Sequence, residues 1–184
     1  TNKKVVLVED DSVTTSKYIK PIKIDERLEK RKEEFDKNII INNSNELTYK
    51  GSINNLTDLF ILEKYYKNYI INVDGNVDIS NMSLTTIPIQ FNEVNGSFVC
   101  SNNQLTSLEY CPKVIDGSFL CDNNQLTSLK GCPKVISGSF VCSNNQLTSL
   151  EYYPKVNGGF DCSFNSLTSL KGCPLKANSL SVFG

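Results

Sequence analysis

From Val77 onward, hydrophobic and polar residues alternate in short bursts, and the bursts return at a fixed interval. Gly96-Ser97-Phe98-Val99-Cys100 places Phe98 and Cys100 on one face. Phe119/Cys121, Phe140/Cys142 and Phe160/Cys162 repeat it, Val77/Ile79 precede it and Leu180/Val182 follow. Alternation over so few residues predicts a short β-strand, and its copies predict six parallel rungs. Each strand leads into the phrase Cys100-Ser-Asn-Asn-Gln-Leu-Thr-Ser-Leu108. The phrase recurs from Cys121 to Leu129 and from Cys142 to Leu150, more loosely from Cys162 to Leu170, and faintly from Ile79 to Ile87. Successive copies start 21 residues apart, with a last step of 20. Self-similarity at so short a period is the mark of a solenoid.

Within the repeat, each column of residues predicts a role. Asn103, Asn124, Asn145 and Asn165 follow the strand. A buried amide carries two donors and an acceptor, enough to bond the backbone of its own turn and of a neighbouring rung. That column fails at Met82, which assigns the first rung to a cap. Leu84, Leu105, Leu126, Leu147 and Leu167, then Ile87, Leu108, Leu129, Leu150 and Leu170, are core columns. Pro112, Pro133, Pro154 and Pro174 forbid a regular helix on the return path, so that side is expected to be extended or irregular. Gly75, Gly96, Gly117, Gly138 and Gly158 re-enter the strand, where a tight turn is expected.

The unit Phe-x-Cys-x-x-Asn-x-Leu-Thr-Ser-Leu resembles the Leu-x-Leu-x-x-Asn-x-Leu core of leucine-rich repeats. The short period and the proline look like the compact bacterial effector subtype. The cysteine version, with Gly-Ser-Phe and Cys-Pro-Lys-Val and the lead-in Asn68-Tyr-Ile-Ile-Asn-Val-Asp-Gly-Asn-Val-Asp-Ile-Ser-Asn81, is most similar to repeat proteins of bacteriophages and large viruses. The resemblance covers about residues 55–184. It implies a leucine-rich-repeat solenoid of parallel β rungs with an irregular convex side. The expected organisation is an N-terminal arm with a charged helix (1–37), a small α/β cap (38–74) and the solenoid (75–184).

Ahead of the repeats, Asn38-Ile-Ile-Ile-Asn42 and Leu47-Thr-Tyr-Lys-Gly51 read as two short strands around a polar turn. Leu56 to Lys67 reads as a helix with an apolar face of Leu56, Leu59, Phe60, Leu62 and Tyr66, expected to cap the first rung. Asp25 to Lys37 is a helix of mixed charge whose apolar stripe is only Ile24, Leu28 and Phe35. Short isolated helices are marginal in water, so it either lies on the cap or orders against a partner. Lys4-Val-Val-Leu-Val-Glu-Asp-Asp11 resembles the first strand of a phosphorelay receiver domain. The repeats begin too soon to leave room for that fold, and the segment is read as a lone strand with a polar turn.

Composition narrows the chemistry. A net charge of -1 gives no electrostatic reason to expect nucleic acid. No apolar run is long enough to span a membrane, and Val5–Val8 is too short for a signal peptide. The 7 cysteines hold repeat positions, Cys100, Cys121, Cys142 and Cys162 in one column and Cys111, Cys132 and Cys173 in another. An odd count that tracks the repeat points to free, buried thiols and a reducing compartment. Without histidine the usual general base and triads are missing, and the cysteine columns lack metal-site spacing. Neither an enzyme nor a bound metal or cofactor is expected.

The expected function is protein binding. Between the two core positions of each strand one residue points outward, on the concave face of a leucine-rich repeat: Asp78, Val99, Leu120, Val141, Asp161 and Ser181. Beside it run Ser80, Ser101, Asp122, Ser143 and Ser163. Three adjacent apolar residues between polar ends make a small patch of the kind that meets partners. On the return side Glu109, Lys130, Glu151 and Lys171 alternate in sign, a device for register and solubility; Lys113, Lys134 and Lys155 form a same-sign edge. Leu180, Val182 and Phe183 make a last rung with no cap after it, an expected site of self-association. The resemblance implies a phage protein in the virion or the host cytoplasm, bound to a phage structural protein or to a host protein. The alternative is the recognition half of a longer effector enzyme that continues past Gly184.

Overall fold

Strand-forming pairs of residues occur twice per repeat, and both sets stack. The computed structural model describes residues 21–43, 45–169 and 180–181. It opens with α1 (Pro21–Asp36), β1 (Ile39–Asn43), β2 (Glu46–Tyr49), α2 (Leu56–Tyr66) and β3 (Ile70–Val73). Then come β4 (Val77–Asp78), β5 (Phe91–Val94), β6 (Phe98–Val99), β7 (Val114–Ile115), β8 (Phe119–Leu120), β9 (Val135–Ile136) and β10 (Phe140–Val141). The chain ends with β11 (Lys155–Val156), β12 (Phe160–Asp161) and β13 (Leu180–Ser181). The strands β4, β6, β8, β10, β12 and β13 form a six-stranded sheet in sequence order, parallel at every step. A seven-stranded sheet runs β1-β2-β3-β5-β7-β9-β11, parallel except for the β1–β2 pair. The chain is a β-solenoid.

The return path is more regular than the prolines suggest. The residues just after Pro112, Pro133 and Pro154 pair rung to rung as β7, β9 and β11. A proline costs a sheet only its own N–H, and here it stands before the strand rather than in it. Each coil then turns at three places. Asn102, Asn123 and Asn144 turn the first corner at φ of 55°, 53° and 51°. At the second corner stand Tyr110, Gly131 and Tyr152, at φ of 70°, 90° and 68°. The third is the glycine corner, where a Cβ on Gly117 would lie 2.6 Å from the Gly96 carbonyl carbon and one on Gly158 would lie 2.6 Å from that of Gly138. Only glycine lets the rungs stack there.

The polar atoms of the corners are satisfied by ladders. The amide oxygen of Asn124 accepts from Leu105 N–H at 2.9 Å, and its nitrogen donates to the carbonyls of Cys100 and Cys121 at 3.0 and 3.2 Å. Asn145 and Asn165 repeat this one rung on. Asn103 reaches back to Met82 N–H and Leu84 N–H, so the first rung is tied in although its own position holds Met82. A second ladder runs through the serines after the glycines. Ser97 Oγ accepts from Ser118 N–H at 3.1 Å, Ser118 Oγ from Ser139 N–H at 3.0 Å and Ser139 Oγ from Gly159 N–H at 3.1 Å.

Inside, Phe98, Phe119, Phe140 and Phe160 stack with successive ring centroids 6.0, 5.4 and 5.5 Å apart. Cys100, Cys121, Cys142 and Cys162, Leu105, Leu126 and Leu147, and Leu108, Leu129 and Leu150 complete the buried columns.

The stacking passes residue 75 without a break. Ile53 pairs in parallel with Val77, Ser52 Oγ accepts from Asn76 N–H at 3.0 Å, and β2 lies parallel to β3. Gly51-Ser52-Ile53 thus pairs with the next coil as Gly96-Ser97-Phe98 does, with α2 in its return path. Asn55 caps α2: its Oδ1 accepts from Asp58 N–H while its amide nitrogen donates to the Asp58 carboxylate, both at 2.9 Å. That carboxylate is 1% exposed and receives Arg31 Nε and Nη2 at 2.9 and 2.8 Å. Together with buried Leu28 and with Phe35, stacked 4.2 Å from Tyr49, it holds α1 on the fold. The apolar face of α2 differs from the expected one, because the helix is covered from two sides: Ile61 is buried and Leu56 is exposed. The Lys4–Asp11 segment lies outside the described residues.

Replacing Asn124 by alanine leaves the buried Leu105 N–H without its acceptor and removes one of the two amide donors to each of the Cys100 and Cys121 carbonyls, which keep Asn103 and Asn145 respectively. The expected loss is about 1–3 kcal/mol, read as a lower midpoint in urea unfolding.

Candidate binding face on the six-stranded sheet

The outward residues of the six-stranded sheet fall in one column because the parallel register is unshifted. Asp78 pairs with Val99, Val99 with Leu120, Leu120 with Val141, Val141 with Asp161 and Asp161 with Ser181. All six are half-buried. Neighbouring strands lie about 4.8 Å apart, so Val99, Leu120 and Val141 touch as one strip with a carboxylate at each end.

The adjoining column behaves differently. Ser101, Ser143 and Ser163 are buried, while Ser80 and Asp122 are half-buried. These residues are short and bond within their own turn or across to the next coil. Ser101 Oγ donates to Asp122 Oδ1 at 2.5 Å. Asp78 Oδ1 accepts from Ser80 N–H and Oγ at 3.0 and 2.6 Å, and Asp161 Oδ1 accepts from the same groups of Ser163. The serines therefore brace the carboxylates from behind, and the face open to a partner narrows to the Asp78–Ser181 column plus Asp122. Leu180 lies in β13, beside Phe160 in register; Val182 and Phe183 lie outside the described residues.

Charged residues of the return side stay outside this face. Glu109, Lys130 and Glu151 are exposed, and their N–H groups donate to Ser107, Ser128 and Ser149 Oγ at 3.0, 3.1 and 3.3 Å. That is the role of the serine in Leu-Thr-Ser-Leu. Lys113, Lys134 and Lys155 form an exposed edge one corner further.

The cysteines have a chemistry of their own. Cys100, Cys111, Cys121, Cys142 and Cys162 are buried thiols and Cys132 a half-buried one. Burial raises the pKa of Cys100, Cys111, Cys121, Cys132 and Cys142, and neighbouring thiols or Asp122 push in the same direction. Thiols held neutral in this way are poor nucleophiles.

Three exposed aromatic residues were not singled out by the repeat pattern: Tyr110, Tyr152 and Phe164. All have positive φ, Phe164 at 55° in the column otherwise held by Asn102, Asn123 and Asn144. A bulky side chain there is strained, whereas asparagine and glycine are not. The signal was present in the sequence as the aromatic exceptions to Asn and Gly columns. Phe164 is 62% exposed and follows directly on the Asp161–Ser163 turn, at the edge of the candidate face. A cleft of about 520 Å³ lies elsewhere, between α2 and the first return path, lined by Leu56, Phe60, Lys64, Lys67, Leu84 and Pro88 among others.

Compared with protein-family models, with curated proteins and with solved structures, the chain matches none.

Two outcomes follow from this geometry. The folded state holds its thiols neutral, while in the unfolded chain they ionise near pH 8.5. Their folded pKa values are raised, so the stability they contribute is complete below that pH and lost as the pH rises above it. Each thiol steepens the loss by up to about 1.4 kcal/mol per pH unit, and urea midpoints measured from about pH 7 to pH 10 should fall accordingly. Phe164→Asn relieves the strained corner and should raise stability by about 1 kcal/mol, visible as a higher thermal midpoint.

Proposed function

We propose that the chain is a non-enzymatic protein-binding module of the leucine-rich-repeat type, with residues 38–74 serving as the cap of its solenoid. The observation that carries this reading is the unshifted strip Val99-Leu120-Val141 on β6, β8 and β10, bounded by Asp78 and Asp161. A contiguous apolar strip framed by carboxylates suits a partner that brings apolar side chains flanked by Lys or Arg. The carboxylates are pre-set by Ser80 and Ser163, so little side-chain freedom is lost on binding. Phe164, exposed and strained beside Asp161, extends the same face; strain retained at an exposed aromatic is a common companion of function. The phage resemblance of the repeat points to a virion protein or a host protein as the partner.

Leu120 stands at the centre of the strip, where binding energy concentrates. Leu120→Asp should weaken partner binding by at least about 30-fold while the far-UV circular dichroism stays that of the parent chain. Full affinity in the folded variant would exclude this face. Mass spectrometry of purified particles separates the two partner classes, since a virion component appears there at fixed stoichiometry.

A further inference from the structure

β1 is the outer strand of the seven-stranded sheet, and among the described residues no strand pairs with its far edge. Its side chains are unusually open: Ile40 is 48% exposed and Ile41 51%. Proteins normally blunt such an edge with lysine, proline or a bulge. Residues 38–43 contain no charge and no proline, and the register shift of this pair falls after Ile41, leaving the preceding edge regular.

The main chain of this edge has a defined pattern. Ile39 lies opposite Tyr49, which sets Asn38 opposite Lys50, and Lys50 N–H donates to the Asn38 carbonyl at 2.7 Å. Opposed residues of an antiparallel pair alternate between bonded and non-bonded. Asn38 and Ile40 therefore bond inward to β2, and Ile39 and Ile41 direct their N–H and C=O groups to the open side.

The sequence of the edge is a palindrome, Asn38-Ile39-Ile40-Ile41-Asn42. We infer that β1 pairs antiparallel with β1 of a second copy of this chain, about a two-fold axis between the two Ile40 residues. Ile39 then exchanges both main-chain hydrogen bonds with Ile41 of the second copy, and symmetry supplies the same exchange again. Ile40 faces Ile40 as a non-bonded pair, and Asn38 faces Asn42. Every cross-strand pair joins like with like, which favours a self-complementary, two-fold interface. The first charge beyond the palindrome, Lys37, falls opposite Asn43 of the second copy, so no like charges meet. The two seven-stranded sheets become one continuous sheet, which leaves the six-stranded sheet with its candidate face outside this contact.

Pairing through one short strand makes a small, reversible interface, so the test spans concentration. Sedimentation of the full chain from about 1 µM to about 1 mM should show a monomer–dimer equilibrium. Ile40→Lys, which sets two cations across the axis, should raise the dissociation constant at least tenfold. Ile40→Thr keeps a β-branched strand residue and should also weaken it, so a folding defect in one variant does not decide the matter. In the non-bonded pair the facing Cα atoms lie about 4.5 Å apart, within disulfide reach. Ile40→Cys should therefore give a covalent dimer with oxidised glutathione, under conditions where the parent chain and Ile41→Cys do not. A monomer at every concentration overturns the inference, as does a dimer indifferent to both Ile40 substitutions. A dimer that forms only after residues 1–20 are removed overturns it as well, since Lys4–Val8 would then be the strand that fills this edge.

Discussion

The structure rests on one repeated contact, the asparagine amide that joins each coil to the one before it. Asn124 illustrates why. Its coil leaves the strand at a left-handed corner, where rung-to-rung main-chain bonds such as Asn123 N–H to the Ser143 carbonyl persist but Leu105 N–H and the Cys121 carbonyl are met by a side chain. Four polar groups from two coils converge there, and the amide meets all of them. Because the bond reaches the preceding coil, it also fixes the stacking register. Phenylalanine then lands on phenylalanine, cysteine on cysteine and leucine on leucine. The serine ladder and the bare glycine corner do the same on the opposite side of the coil, where any Cβ would push the rungs apart.

Stacking at a single strand spacing constrains a residue according to its place in the coil. Inward positions and corners must repeat, because each one contacts its own equivalent. Outward positions on the six-stranded sheet are under no such demand, and it is there that the copies diverge: Asp78, Val99, Leu120, Val141, Asp161, Ser181. The aromatic exceptions at the corners are more telling. Tyr110, Tyr152 and Phe164 occupy backbone conformations that asparagine or glycine adopt at lower cost, and all three are exposed. Stability alone would not select them.

At its start the described chain closes the stack with two helices. There α2 stands in the return path of a coil, and α1 is fastened across it by Arg31 on the buried carboxylate of Asp58. Breaking that pair would leave a charge stranded in the core, so the charged helix is an integral layer of the fold. The sheet beside it nonetheless ends on β1, an uncharged strand with exposed isoleucines. Among the described residues, this edge of the seven-stranded sheet is thus covered by a helix on its face while no strand pairs with its backbone.

The sequence by itself determined the six repeat rungs from Val77 onward, the inward columns, the role of asparagine and the outward strip. Each of these follows from period and alternation, which act between residues a fixed number of positions apart. It did not disclose the second strand in each coil, because two residues such as Val114-Ile115 show no periodicity until neighbouring coils align them. Nor did it reveal that Gly51-Ser52-Ile53 already belongs to the stack, since the helix between that turn and Gly75 lengthens the coil and hides the repeat. The burial of Ser101, Ser143 and Ser163 was also decided only by the tertiary structure: alternation places a side chain on a face, but whether water reaches it depends on how closely the next coil approaches.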